Sequence, residues 1–145
     1  MKGFTLVEIL AVLAVAAVVA LAAVVAVRPD PVGRAQSEAQ RLAALFELAH
    51  AEAGASGRAM AWIPQHDGYA FVRAGADGGW EALDADGPFR ARSLPAGLKL
   101  RGSRFVLSAR GLHAPAQAVI SGSGATFMVR SGSLGQTSVQ RLHAD

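Results

Sequence analysis

Residues 1–10 read MKGFTLVEIL, and the run they open stays apolar as far as Val27. Between Phe4 and Val27 the only ionisable side chain in 24 residues is Glu8. As a helix this run is about 36 Å long, enough to cross a bilayer. A cleaved secretory signal has a shorter apolar part, about 7–15 residues, and no acid at this place. A plain signal anchor leaves Glu8 equally unexplained. A carboxylate inside an apolar layer costs up to about 3 kcal/mol and usually has a partner. Lys2 precedes Glu8 on another face of the helix, and no other base of the helix is within reach. The acid is therefore expected to meet its partner on another chain, or to stay protonated. A neighbouring chain's free amino terminus is the natural candidate, because it is cationic near neutral pH and lies at the same depth.

Gly3-Phe4-Thr5-Leu6-Val7-Glu8 resembles the leader junction of type IV prepilins and type II secretion pseudopilins. The resemblance implies that a membrane-embedded aspartyl prepilin peptidase cuts between Gly3 and Phe4 and N-methylates Phe4. Glu8 then becomes the fifth mature residue and pairs with the amino terminus of the adjacent subunit during assembly. It also implies a cytoplasmic amino terminus, a single pass of the inner membrane and a periplasmic remainder. The leader Met1-Lys2-Gly3 is shorter than most in that family, so either the true start lies upstream or a minimal leader suffices.

Beyond the run, Arg28-Pro29-Asp30-Pro31 is expected to kink or interrupt the helix, because proline lacks the amide donor. Ala35, Ala39, Leu42, Phe46, Ala49 and Ala53 then recur at three- and four-residue steps, with Arg34, Glu38, Arg41 and Glu52 off the stripe. That spacing predicts an amphipathic helix ended by Gly54 and Gly57. From Ala59 the period becomes two. Strands are expected at Ala59–Ile63, Tyr69–Arg73, Trp80–Leu83, Leu98–Arg101, Phe105–Leu107, Ala118–Ile120, Thr126–Arg130 and Ser138–Leu142. Pro64, Pro95 and the Gly-rich segments between them read as turns. The expected fold class is α+β and pilin-like: a long amino-terminal helix, then an antiparallel β domain of two small sheets. The expected parts are a leader (1–3), a transmembrane helix (4–27), its periplasmic continuation (28–57) and the β domain (58–145).

Gly68-Tyr69-Ala70-Phe71, Gly79-Trp80-Glu81-Ala82-Leu83 and Arg90-Ala91-Arg92-Ser93-Leu94-Pro95 are similar to the H-type minor pseudopilins of type II secretion, the GspH/FimT-like family. The resemblance implies a structural subunit joining a tip complex of minor pseudopilins to the major-pseudopilin stalk. Its implied partners are other pseudopilins, the prepilin peptidase and the inner-membrane assembly platform. The alternative within the same fold is a FimT/FimU-like minor pilin that serves pilus assembly or DNA uptake.

Charge is split along the chain. From Asp30 to Asp86 there are nine acids and four arginines; from Gly87 to Ala144 there are eight bases and no acid. Such asymmetry marks either a nucleic-acid surface or two halves that neutralise each other or a neighbouring subunit. Arg90, Arg92, Lys99, Arg101, Arg104 and Arg110 are the candidate partner-facing basic surface. Enzyme chemistry has little support. There is no Cys, and His50, His66, His113 and His143 lack metal-ligand spacing. Asp84-Ala85-Asp86-Gly87 starts like a calcium loop, but Pro88 takes the next ligand position, so a turn is expected. Ser121-Gly122-Ser123-Gly124 lacks the Lys of a phosphate loop and reads as a hairpin connection. Neither a nucleophile elbow nor a pair of hydrolytic acids is present. No cofactor and no metal are expected. Trp62 and Trp80 read as core or sheet-face residues.

Overall fold

The computed structural model describes residues 6–26, 30–110, 114–122 and 124–143. The chain forms two compact units, Met1–Asp30 and Pro31–Asp145. The first is one helix, α1 (Leu6–Ala26). Its apolar side chains are exposed on every face, from Leu6 at 77% through Val12 and Val15 to Val19 at 61%. A helix apolar all round is stable only in apolar surroundings, a membrane or a bundle of like helices. Among the described residues, no helix is long and apolar enough to cross a membrane. The crossing expected over 4–27 also takes in Phe4, Thr5 and Val27, which lie outside the described residues.

The second unit opens with α2 (Pro31–Ser56). Pro31 takes the first helical position, where a missing amide donor costs nothing, and Asp30 precedes it at the N-cap. Gly57, at φ 68°, ends the helix in the left-handed region. Gly54 does not end it; it lies inside the last turns. The expected stripe is buried in full, and Ala43 and Leu45 join it. Glu38 departs from expectation: it is buried rather than off the stripe, and its carboxylate accepts from Arg41 at 2.5 Å. A carboxylate tolerates that burial only because the guanidinium is one helical turn away.

Nine strands follow among the described residues: β1 (Met60–Gln65), β2 (Gly68–Ala74), β3 (Trp80–Ala82), β4 (Arg92–Ser93), β5 (Lys99–Gly102), β6 (Phe105–Leu107), β7 (Ala116–Gly122), β8 (Ala125–Ser131) and β9 (Thr137–Leu142). All pairings are antiparallel, in two sheets. One runs β3-β2-β1-β6, with β4 also paired to β2; the other runs β5-β7-β8-β9. Pro64 is part of β1, not a turn. It is tolerated because β6 pairs only Met60, Ala61 and Trp62, so no ladder bond is needed from position 64 on that side. Strand β4 was not expected. It shares an edge of β2 with β3, aligning Ser93 with Gly68 and Arg92 with Tyr69. A Cβ at Gly68 would run into the Arg92 carbonyl, so the glycine lets β4 approach.

Both sheets meet α2 in one core. Phe46 stands at its centre, edge-on to Phe105, Trp62 and Phe71 at centroid distances of 5.0, 5.5 and 6.2 Å. Leu42, Met60, Leu107, Ile120 and Val129 fill in around it. Every buried core residue lies between Ala35 and Val129, so the second unit carries its own core.

Candidate assembly surfaces

Of the residues expected to act in processing and assembly, Gly3 and Phe4 lie outside the described residues. Glu8 is in the first turn of α1, on an exposed face beside Ile9, Val12 and Leu13.

The six basic candidates do not form one patch by adjacency in sequence; the fold divides them. Arg92 sits on β4 at the edge of the first sheet, half-buried, and its Nε finds no hydrogen-bond partner among the described residues. Lys99 and Arg101 lie on β5, at the edge of the second sheet, and both are exposed. Arg104 leaves that strand and reaches Trp80 on β3, its guanidinium 4.9 Å from the ring centroid. Arg110 ends an ST-type turn in which its amide donates to Ser108 Oγ at 3.1 Å. Arg90 is exposed beside β4. Only Lys99 and Arg101 point from one strand to one side.

That side is the outer face of the second sheet. On β7 and β8, Ala116, Ala118, Ile120, Phe127 and Val129 are buried toward α2. The alternate positions face away, and register sets them in rows: Lys99 with Ser121 and Thr126, Arg101 with Val119, Met128 and Gln140, and Gln117 with Arg130 and Ser138. Arg130 therefore joins Lys99 and Arg101, although more than two dozen residues separate them. Register, not local composition, is the signal that finds it.

Trp62 is fully buried, while Trp80 is 41% exposed on the edge strand β3. Tyr69 is buried beside Trp62, and its hydroxyl finds no partner among the described residues. Burial pushes its pKa up to about 12, and the nearby Glu38 carboxylate adds to the shift. The Asp84–Gly87 segment is a turn, closed by the Gly87 amide donating to the Asp84 carbonyl at 3.1 Å. Among the described residues no cluster of His, Asp and Glu could hold a metal ion. His113 and Ser123 lie outside them. Gly122 pairs with Ala125, so the expected hairpin joins β7 to β8.

A helix packed on two small antiparallel sheets, behind an apolar amino-terminal helix, is the pilin-like fold. Residues 1–24 match the prokaryotic N-terminal methylation motif. In its fold the chain is similar to the minor pseudopilin EpsH of the Vibrio cholerae type 2 secretion system. One EpsH structure aligns with a TM-score of 0.65 at 20% identity, covering 74% of this chain and 96% of that one. A second EpsH structure covers 78% and 98% at the same TM-score and 18% identity. The type IV minor pilin FimU of Pseudomonas aeruginosa aligns at 0.55 and 18% identity, over 72% of this chain and 87% of that one. No curated protein sequence matches. The methylation motif and the fold together make the chain type IV pilin-like.

Proposed function

We propose that this chain is an H-type minor pseudopilin of a type II secretion pseudopilus. On this reading prepilin peptidase cuts between Gly3 and Phe4 and methylates Phe4. The helix from Phe4 to Val27 crosses the inner membrane once, with the amino terminus cytoplasmic and the β domain periplasmic. Glu8 meets the Phe4 amine of a neighbour, so that subunits enter the fibre in register. The β domain makes lateral contacts that join the tip complex to the major-pseudopilin stalk. The chain's role is structural, not catalytic. The observation that carries the reading is a methylation motif ahead of a β domain whose fold spans nearly all of EpsH. The test is deletion and plasmid complementation in the native host, scoring exoprotein in the medium. Exoprotein retained in the periplasm, and released on complementation, upholds the reading; unaffected secretion overturns it.

A second reading is a FimU-like minor pilin that serves pilus assembly or DNA uptake. The similarity to FimU and the acid-free stretch after Gly87 favour it. Phosphate contacts make affinity fall steeply with salt. Titration of duplex DNA into residues 30–145 at several salt concentrations, alongside an uptake assay on the deletion strain, separates the two.

A further inference from the structure

The sign split along the sequence is not cancelled within the fold. Among the described residues the ion pairs are Arg41–Glu38, Arg58–Glu81 and His66–Asp67, all within residues 38–81. Among the described residues, no base after Gly87 has a carboxylate within 4 Å. Among the described residues, no ion pair therefore joins the two halves, which leaves these bases open to a partner outside the chain.

Three of those bases share the outer face of the second sheet: Lys99, Arg101 and Arg130. The other residues in these rows are uncharged, Ser121, Thr126 and Leu142 beside Lys99 and Val119, Met128 and Gln140 beside Arg101, and none is an acid. Asp67 borders the groove beside β5 but is not within 4 Å of either base. Lys99 and Arg101 are about 7 Å apart along their strand; Arg130 lies two strands over and further along, about 12 Å from Arg101 and about 17 Å from Lys99. Lys99 and Arg101 lie within about one Debye length of each other, about 8 Å at physiological salt, and act as one field, with Arg130 at its margin.

The complementary charge is on the same chain. Asp77, Asp84 and Asp86 occupy the turns on either side of β3, all exposed, and none forms an ion pair with a base among the described residues. Glu81 between them is held by Arg58 at 2.9 Å. These turns belong to the first sheet and the basic face to the second. A patch and its complement at different places on one chain make a head-to-tail contact, not a two-fold one.

We infer that the outer face of the second sheet docks a second copy of this chain, through that copy's acidic turns at Asp84 and Asp86. The contact is electrostatic and polar, so it sets partner choice and register more than raw affinity. It does not depend on whether the chain serves secretion or a pilus.

The test uses residues 30–145, which carry the whole core, in sedimentation velocity at low and at high salt. The expected result is association at about 20 mM salt that is lost by about 300 mM. Lys99→Glu with Arg101→Glu weakens it about tenfold or more, because like charges then oppose each other. Asp84→Lys with Asp86→Lys does the same. Mixing the two variants restores association, now between unlike chains. Circular dichroism confirms that both variants are folded; all four sites are exposed. A wild-type fragment that stays monomeric at low salt overturns the inference. So does association that survives both reversals, or a mixture that fails to associate. Binding of duplex DNA or anionic vesicles without self-association overturns it in favour of that anion.

Discussion

Gly135, at the β8–β9 turn, lies against the imidazole of His50 on α2. A Cβ at position 135 would stand 2.8 Å from Nε2 and closer still to the ring carbons. The glycine also has φ 82°, where a side chain is strained. Two separate costs therefore bar any other residue. Gly135→Ala should destabilise residues 30–145 by about 2–4 kcal/mol, the sum of left-handed strain and steric overlap. Adding His50→Ala should remove the overlap but not the strain, leaving about 1–2 kcal/mol. Urea unfolding of the four proteins in this double-mutant cycle measures the coupling. Strict additivity would show that the ring is not what the Cβ meets.

Phe46 touches aromatic rings from β1, β2 and β6 at once. Truncating it opens a cavity where helix and sheet meet. Phe46→Ala should cost about 3–5 kcal/mol, and Phe46→Leu, which keeps most of the volume, less than about 2. The midpoint and slope of denaturant unfolding check both values. Equal losses would mean that the site collapses around the smaller residue.

The helices and eight of the nine strands were legible because their signals are local. The stripe from Ala35 to Ala53 repeats at helical spacing, and Phe127 and Val129 alternate with Met128 and Arg130. Strand β4 was not legible, because two residues, Arg92 and Ser93, carry no period. Pro64 was misread as a turn because only the length of the neighbouring strand β6 decides whether a proline is tolerated there. Glu38 reads as surface until Arg41 is seen to fold over it. The basic surface was legible as charge but not as shape. Proximity in sequence grouped Arg90 with Lys99, whereas sheet register groups Lys99 with Arg130. The methylation motif over residues 1–24 was legible because a short linear motif needs no tertiary context.

Tyr69 is the only tyrosine of the chain, so its ionisation can be followed alone by tyrosinate absorbance. Its folded pKa of about 12 lies above the unfolded value of about 10. The folded state thus holds the proton more tightly. The resulting stability is fully present below pH 10 and is lost as pH rises towards 12, on the order of 2–3 kcal/mol. Tyr69→Phe should remove this part of the alkaline loss. At neutral pH it should be neutral or slightly stabilising, because the buried hydroxyl has no partner to lose. A tyrosinate titration near pH 10 in the folded protein would contradict the burial that drives the shift.

Glu8 tests the assembly reading without touching the β domain. Replacing it with valine removes a charge from an apolar helix, so membrane insertion should improve by up to about 3 kcal/mol. Cleavage after Gly3 should persist, because Glu8 lies beyond the scissile bond. Glu8→Val should therefore appear at the mass of the processed variant, without Met1–Gly3 and with one added methyl. It should nevertheless be depleted from the sheared fibre fraction, because no carboxylate meets the neighbour's amine. Glu8→Asp keeps the charge on a shorter arm and should recover part of the incorporation. Intact mass of membrane extracts and quantification of the fibre fraction read the two steps separately. A variant processed and incorporated like the wild type would show that the charge pair is dispensable here. A variant left unprocessed would move the role of Glu8 from assembly to recognition by the peptidase.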